Sequence, residues 1–148
     1  MVKFEDLPTD KVFVSQPYVV TRDEILDFAR RYDCQPLHVD QEGARQGPFG
    51  DIIASGFMTL AVAWQLWLDL GFQGPDGRGG IAMDNVRWPH PLMPDATVRA
   101  SVRITEHRVT SKGYGLVTWH IELHDEEGRE LVRFDTTGLL HRIDENPG

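Results

Sequence analysis

The sequence predicts an α+β fold in which an antiparallel β-sheet curls around one long, buried α-helix. Three observations carry that expectation. A helical pattern opens on Thr21, a second and far more apolar one opens on Ser55, and from Ile81 onward the apolar residues switch to period two. Helices first and strands afterwards separate this layout from a doubly wound nucleotide-binding fold, in which the two alternate. A helix that is apolar nearly all round and a sheet with one apolar face answer each other, because each removes the other's apolar surface from water.

The first helix starts at Thr21, with Glu24 three residues on, the arrangement of a capping box. Ile25, Phe28, Ala29 and Tyr32 follow at helical spacing as its apolar face, and Pro36 ends it near Asp33. A loop at Gly47 to Gly50 leads to the second helix, Ser55 to Leu68, which Gly71 stops. Gly74 to Gly80 then reads as a flexible connection. Four strands are expected after it. Val98, Ala100, Val102 and Ile104 form the inward side of the clearest, and Val117, Trp119, Ile121 and Leu123 that of the next. A turn at Asp125 to Gly128 leads to the last, with Val132, Phe134, Thr136, Gly138 and Leu140 inward.

The 148 residues, 41% hydrophobic and 26% charged, match one domain over residues 1–148 that folds without staples. The single cysteine, Cys34, excludes an intramolecular disulfide framework and any multi-cysteine metal site. Met1 to Asp10 holds no apolar signal core, so the cytoplasm is the expected location. A net charge of −8 argues against a nucleic-acid partner gripped by a broad basic face. The longest apolar stretch, Phe57 to Leu70, is interrupted by Thr59, Gln65 and Asp69 and falls short of the roughly 20 residues that span a bilayer, so no membrane partner is expected.

Reactive side chains are densest from Asp33 to Asp40. Pro36 stiffens the bend between Asp33 and His38, so a carboxylate and an imidazole are brought to one pocket, a pair suited to moving protons near neutral pH. Read as structure alone, Asp33 closes a helix end, Pro36 and Leu37 pack, and His38 caps the next short helix. At Ser55 and Gly56 a loop enters the buried helix. A backbone N–H there, at the positive end of the helix dipole, suits an oxygen that gains negative charge. The structural reading makes Ser55 an N-cap and Gly56 a packing residue.

These residues carry a resemblance. Thr21, Ile25, Phe28-Ala29, Asp33-x-Gln35-Pro36-Leu37-His38-x-Asp40, Ala44, Phe49-Gly50 and Ser55-Gly56 occur in the order and spacing of the MaoC-like dehydratases, the group that contains the R-specific enoyl-CoA hydratases. Val86-Arg87-Trp88 and Pro91 to Thr97 are similar to the segment leading that family into its long strands. The resemblance implies a hotdog fold, usually paired into a dimer with the active sites near the interface. It implies Asp33 and His38 as the catalytic dyad, Gly56 as the backbone donor to a thioester carbonyl, and Gln35, Phe49 and Ser55 as substrate-binding positions. The implied reaction interconverts trans-2-enoyl-CoA and (R)-3-hydroxyacyl-CoA, with no metal or cofactor and with coenzyme A or an acyl carrier protein as carrier. A non-catalytic thioester binder and a thioesterase are the alternatives. Two positions depart from the family pattern: Gln35 stands for the usual Asn and Ser55 for the usual His.

The remaining candidates read as structure. His120, Glu122 and His124 alternate along one strand face, about 6.8 Å between successive members, too far to converge on one ion. Cys34 reads as a small apolar filler. Arg99, Arg103, Arg108 and Lys112 form a locally basic stretch that is a candidate contact for coenzyme A phosphates. Trp64 and Trp67 read as core, Trp88 as core or pocket wall.

Overall fold

A computed structural model describes residues 2–143; the ends of the expected 1–148 unit lie outside the described residues. Helix α1, Arg22–Tyr32, begins where Thr21 Oγ1 accepts the Glu24 N–H, the contact worth about 1 kcal/mol in typical N-caps. The reciprocal half of the expected capping box is replaced: the Glu24 carboxylate accepts from the Tyr18 hydroxyl instead. Ile25, Leu26 and Ala29 are the buried face of α1, while Tyr32 is exposed, contrary to expectation, because it reaches the helix's solvent end. Two short helices follow, α2 (Pro36–Val39) and α3 (Gln41–Arg45), and then the long helix α4 (Gly56–Asp69).

Among the described residues, six strands make one antiparallel sheet: β1 (Phe13–Val14), β2 (Tyr18–Val20), β3 (Gly77–Arg87), β4 (Ala96–Val109), β5 (Gly115–Asp125) and β6 (Glu130–Leu140). Along the sheet the order is β1-β4-β5-β6-β3, with β2 also paired to β4. The inward residues expected in β4 and β5 are all buried. In β6, Val132, Phe134, Thr136 and Leu140 are buried as expected, Gly138 is half-buried, and Leu131 joins the core. The pairing explains Leu131: Leu123 faces Val132 and His124 faces Glu130, so Leu131 is an extra residue at a bulge and turns inward.

Two expectations are corrected. The glycine-containing connection is in part strand, since β3 starts at Gly77, and the short strands β1 and β2 were not expected. The sheet curls across α4 as expected, with Met58, Thr59, Ala63, Leu66 and Trp67 buried and α1 packed beside it, whereas Phe57 is 67% exposed. Trp67 is buried as expected and Trp64 half-buried, packed edge-on at 4.9 Å between ring centroids.

Candidate active site

Asp33 is the C-cap of α1, its N–H bonded to the Ala29 carbonyl at 2.9 Å. Pro36 occupies the first position of α2, where its fixed φ suits a helix start and its missing N–H costs nothing. That tight turn brings His38 back beside Asp33, with His38 Nε2 lying 3.3 Å from Asp33 Oδ2. The imidazole is buried, and the carboxylate side chain is 16% exposed.

The hydrogen bonds around this pair define its proton positions. His38 Nδ1 lies 2.7 Å from the Ile53 carbonyl oxygen. A carbonyl only accepts, so Nδ1 carries the hydrogen and Nε2 is the nitrogen left for proton exchange on the Asp33 side. Asp33 Oδ1 accepts from Gln35 Nε2, and Oδ2 accepts from Ser55 Oγ at 2.6 Å. Donation from Gln35 first, then from Ser55, with the nearby His38 adding to both when its ring is protonated, holds the Asp33 carboxyl below the usual carboxylate range. Ser55 is fully buried and also accepts the Phe57 N–H at 3.3 Å, so its hydroxyl both donates and accepts. It braces Asp33 and caps α4. Ser55, expected among the substrate-binding positions, is held here behind Asp33 at the start of α4.

A cleft of about 440 Å³ opens over the pair, lined by Asp33, Gln35, Leu37, His38, Phe49, Ile53, Gly56, Phe57, Thr59, Trp88, His90 and Leu92 among others. Gly56 is the first residue of α4, where the N–H has no acceptor within its own helix. The absence of a side chain at Gly56 serves the indole of Trp88: a Cβ there would sit 2.9 Å from Trp88 Cε2, and Trp88 Nε1 donates to the Gly56 carbonyl at 3.0 Å. Trp88 is therefore a wall of the cleft, half of it open to solvent. A larger groove, about 530 Å³, lies between α1 and α4 and contains none of the predicted site residues.

Asp33, Gln35, His38, Phe49 and Gly56 thus line one cleft, with Ser55 directly behind Asp33. Cys34 is exposed in the turn after α1 and is no core filler. None of Arg99, Arg103, Arg108 and Lys112 lines the cleft. Arg99 and Arg103 stand opposite His124 and His120 in the β4–β5 register, and Arg108 pairs with Glu106 at 2.6 Å. His120 is held between Asp135 at 2.8 Å and Glu122 at 3.0 Å. Sequence reasoning missed His90, whose Nδ1 lies 3.1 Å from the Glu130 carbonyl, and the Ile53 carbonyl, a backbone group with no side-chain signature.

Comparison with known proteins gives this geometry relatives. Residues 3–122 match the sequence family described as the MaoC like domain. An uncharacterized protein, YdeM of Bacillus subtilis, is 29% identical over 141 residues, 95% of this chain and all of that one. A 3-hydroxyacyl-thioester dehydratase Z of Mycobacterium tuberculosis is 37% identical over 94 residues, 62% of each chain. The crystal structure of a MaoC-like dehydratase from Rhodospirillum rubrum superposes with a TM-score of 0.86 at 26% identity, covering 96% of this chain and 98% of that one. The sheet laid across one long helix is the hotdog fold of these proteins, and the chain belongs to the MaoC-like domain family.

Proposed function

We propose that the protein is a hydratase/dehydratase that interconverts a trans-2-enoyl thioester, on coenzyme A or an acyl carrier protein, with the (R)-3-hydroxyacyl thioester. The observation that carries the reading is the pairing of ionised Asp33 with buried His38 at 3.3 Å in a cleft that also holds the first N–H of α4. With Nδ1 protonated and neutral, His38 presents a lone pair at Nε2, and a water donating to both Nε2 and Asp33 Oδ2 is oriented for attack. Nε2 takes one proton as the water oxygen bonds to the β-carbon and the carbon–carbon π electrons move toward the carbonyl. The Gly56 N–H stabilises the enolate oxygen that forms. The imidazolium then returns its proton to the α-carbon, so one water is added and the pair is restored. Asp33, kept ionised by Gln35 and Ser55, stabilises the transient imidazolium.

The working form in this reading is a cytoplasmic homodimer. Among the described residues, strand β3 ends the sheet with one edge unpaired and exposes Ile81 and Met83, and Trp88 follows it directly. Antiparallel pairing of two β3 edges about a two-fold axis would cover this surface beside each cleft. Crotonyl-CoA and longer enoyl-CoA thioesters test the activity, with enoyl absorbance and free thiol followed together. Absorbance loss without thiol release is expected. Thiol release would make the protein a thioesterase, and binding without either change a non-catalytic binder.

A further inference from the structure

We infer that Arg22 and Asp51 are positioning residues for His38, holding the segment 51–54 so that the Ile53 carbonyl keeps the imidazole proton on Nδ1. The inference rests on the proposed role of His38. His38 stands on a helix of only four residues, and its ring is fixed from the cleft's far side by one bond, Nδ1 to the Ile53 oxygen at 2.7 Å. The location of that oxygen is therefore the location of the tautomer.

Residues 51–54 have no helix or strand ladder to fix them. Downstream, the Ala54 N–H bonds the Leu92 carbonyl at 2.9 Å, and midway the Ile53 N–H bonds the Leu37 carbonyl at 3.3 Å. Upstream, the chain enters through Gly50 at φ +73, a left-handed conformation open to glycine, with its N–H on the Gly47 carbonyl at 3.2 Å. Asp51 supplies the side-chain anchor. Its two carboxylate oxygens receive Arg22 Nη1 at 2.8 Å and Nη2 at 2.6 Å, a bidentate fork, and Oδ1 also accepts the Ile52 N–H at 2.8 Å. Arg22 is the first residue of α1, the helix whose other end is capped by Asp33. One rigid element thus carries the carboxylate of the pair directly and, through Arg22 and Asp51, locates the carbonyl that orients its imidazole. Neither residue lines the cleft.

The test uses the full chain with ¹⁵N-labelled histidine, at a pH where the His38 ring is neutral. Arg22→Met and Asp51→Asn are each expected to lower kcat roughly ten- to hundredfold with KM little changed. Both should convert the single Nδ1–H signal pattern of His38 into a mixture of tautomers. Arg22→Lys, which keeps the charge and loses the fork, should recover part of the rate, and the double variant should be no worse than the poorer single one. His38 ring signals unchanged in Asp51→Asn and Arg22→Lys, whatever the rate or melting temperature, would overturn the inference. If the native protein hydrates no enoyl thioester while these signals still shift, the positioning role stands and the hydration reading falls.

Discussion

At the scale of single residues, the site separates groups that exchange protons from groups that hold them in place. Asp33→Ala and His38→Ala remove the first kind, and each should lower kcat by about 10²- to 10⁴-fold, the usual contribution of a positioned acid or base. Far-UV circular dichroism should remain native, and near-native turnover in either variant would refute the pair. Gly56 is different, because its missing side chain is already used by Trp88. Gly56→Ala should therefore destabilise the fold by about 1–3 kcal/mol through overpacking, and Trp88→Ala in the same chain should relieve most of that loss. Thermal melts of the two single variants and the double measure it; additive losses would show that the indole is not what Gly56 accommodates. Obstruction of a thioester oxygen is read only in the double variant, where the packing conflict has been removed.

At the scale of elements, legibility followed burial. Strands β4, β5 and β6 were readable because each buries one face, and period two records that directly, down to Val98, Trp119 and Phe134. β3 was unreadable at its glycine-rich start because nearly all of its residues are exposed, leaving no alternation to detect. β1 and β2 are held by their pairing with β4 and are too short to have a period of their own. In the site, Asp33 and His38 were legible because a proline bend between two reactive side chains is a local signal. The Ile53 carbonyl and the Arg22–Asp51 pair were not, since backbone acceptors have no residue type and a contact across 29 positions has no spacing rule. The exposed apolar residues of β3 make their own prediction. Ile81→Lys combined with Met83→Lys should shift a β3-paired dimer to monomer in sedimentation velocity, since charge on an edge opposes pairing. An unchanged dimer would locate the interface elsewhere.

At the scale of the whole molecule, four carboxyls in four places among the described residues are held below their ordinary range, and this fixes the sign of their acid response. Asp33 is lowered by Gln35 and Ser55 at the cleft. Asp51 is lowered to about 2, first by its bond from Arg22. Burial raises Asp125, but the Arg129 backbone and guanidinium at the β5–β6 turn outweigh it. Burial likewise raises Asp135, and donation from Asn85 and His120 on the sheet outweighs it. In each case the unfolded chain takes up its proton first as pH falls, so stability rises with pH across the window between the folded and unfolded values. The contribution is complete above the ordinary carboxylate pKa of about 4 and is lost as pH falls through the lowered folded-state values. These carboxyls therefore leave the melting temperature level from about pH 7 to 5 and lower it steeply below about 4. Because the four sites span the cleft, the 51–54 segment, a turn and the sheet, the loss should be one cooperative transition by near- and far-UV circular dichroism alike. Asp51→Asn should lower the melting temperature at pH 7 and make the fall below pH 4 shallower, since its share no longer titrates. Equal acid slopes in the native protein and Asp51→Asn would show that the Arg22 bond does not stabilise the folded state through charge.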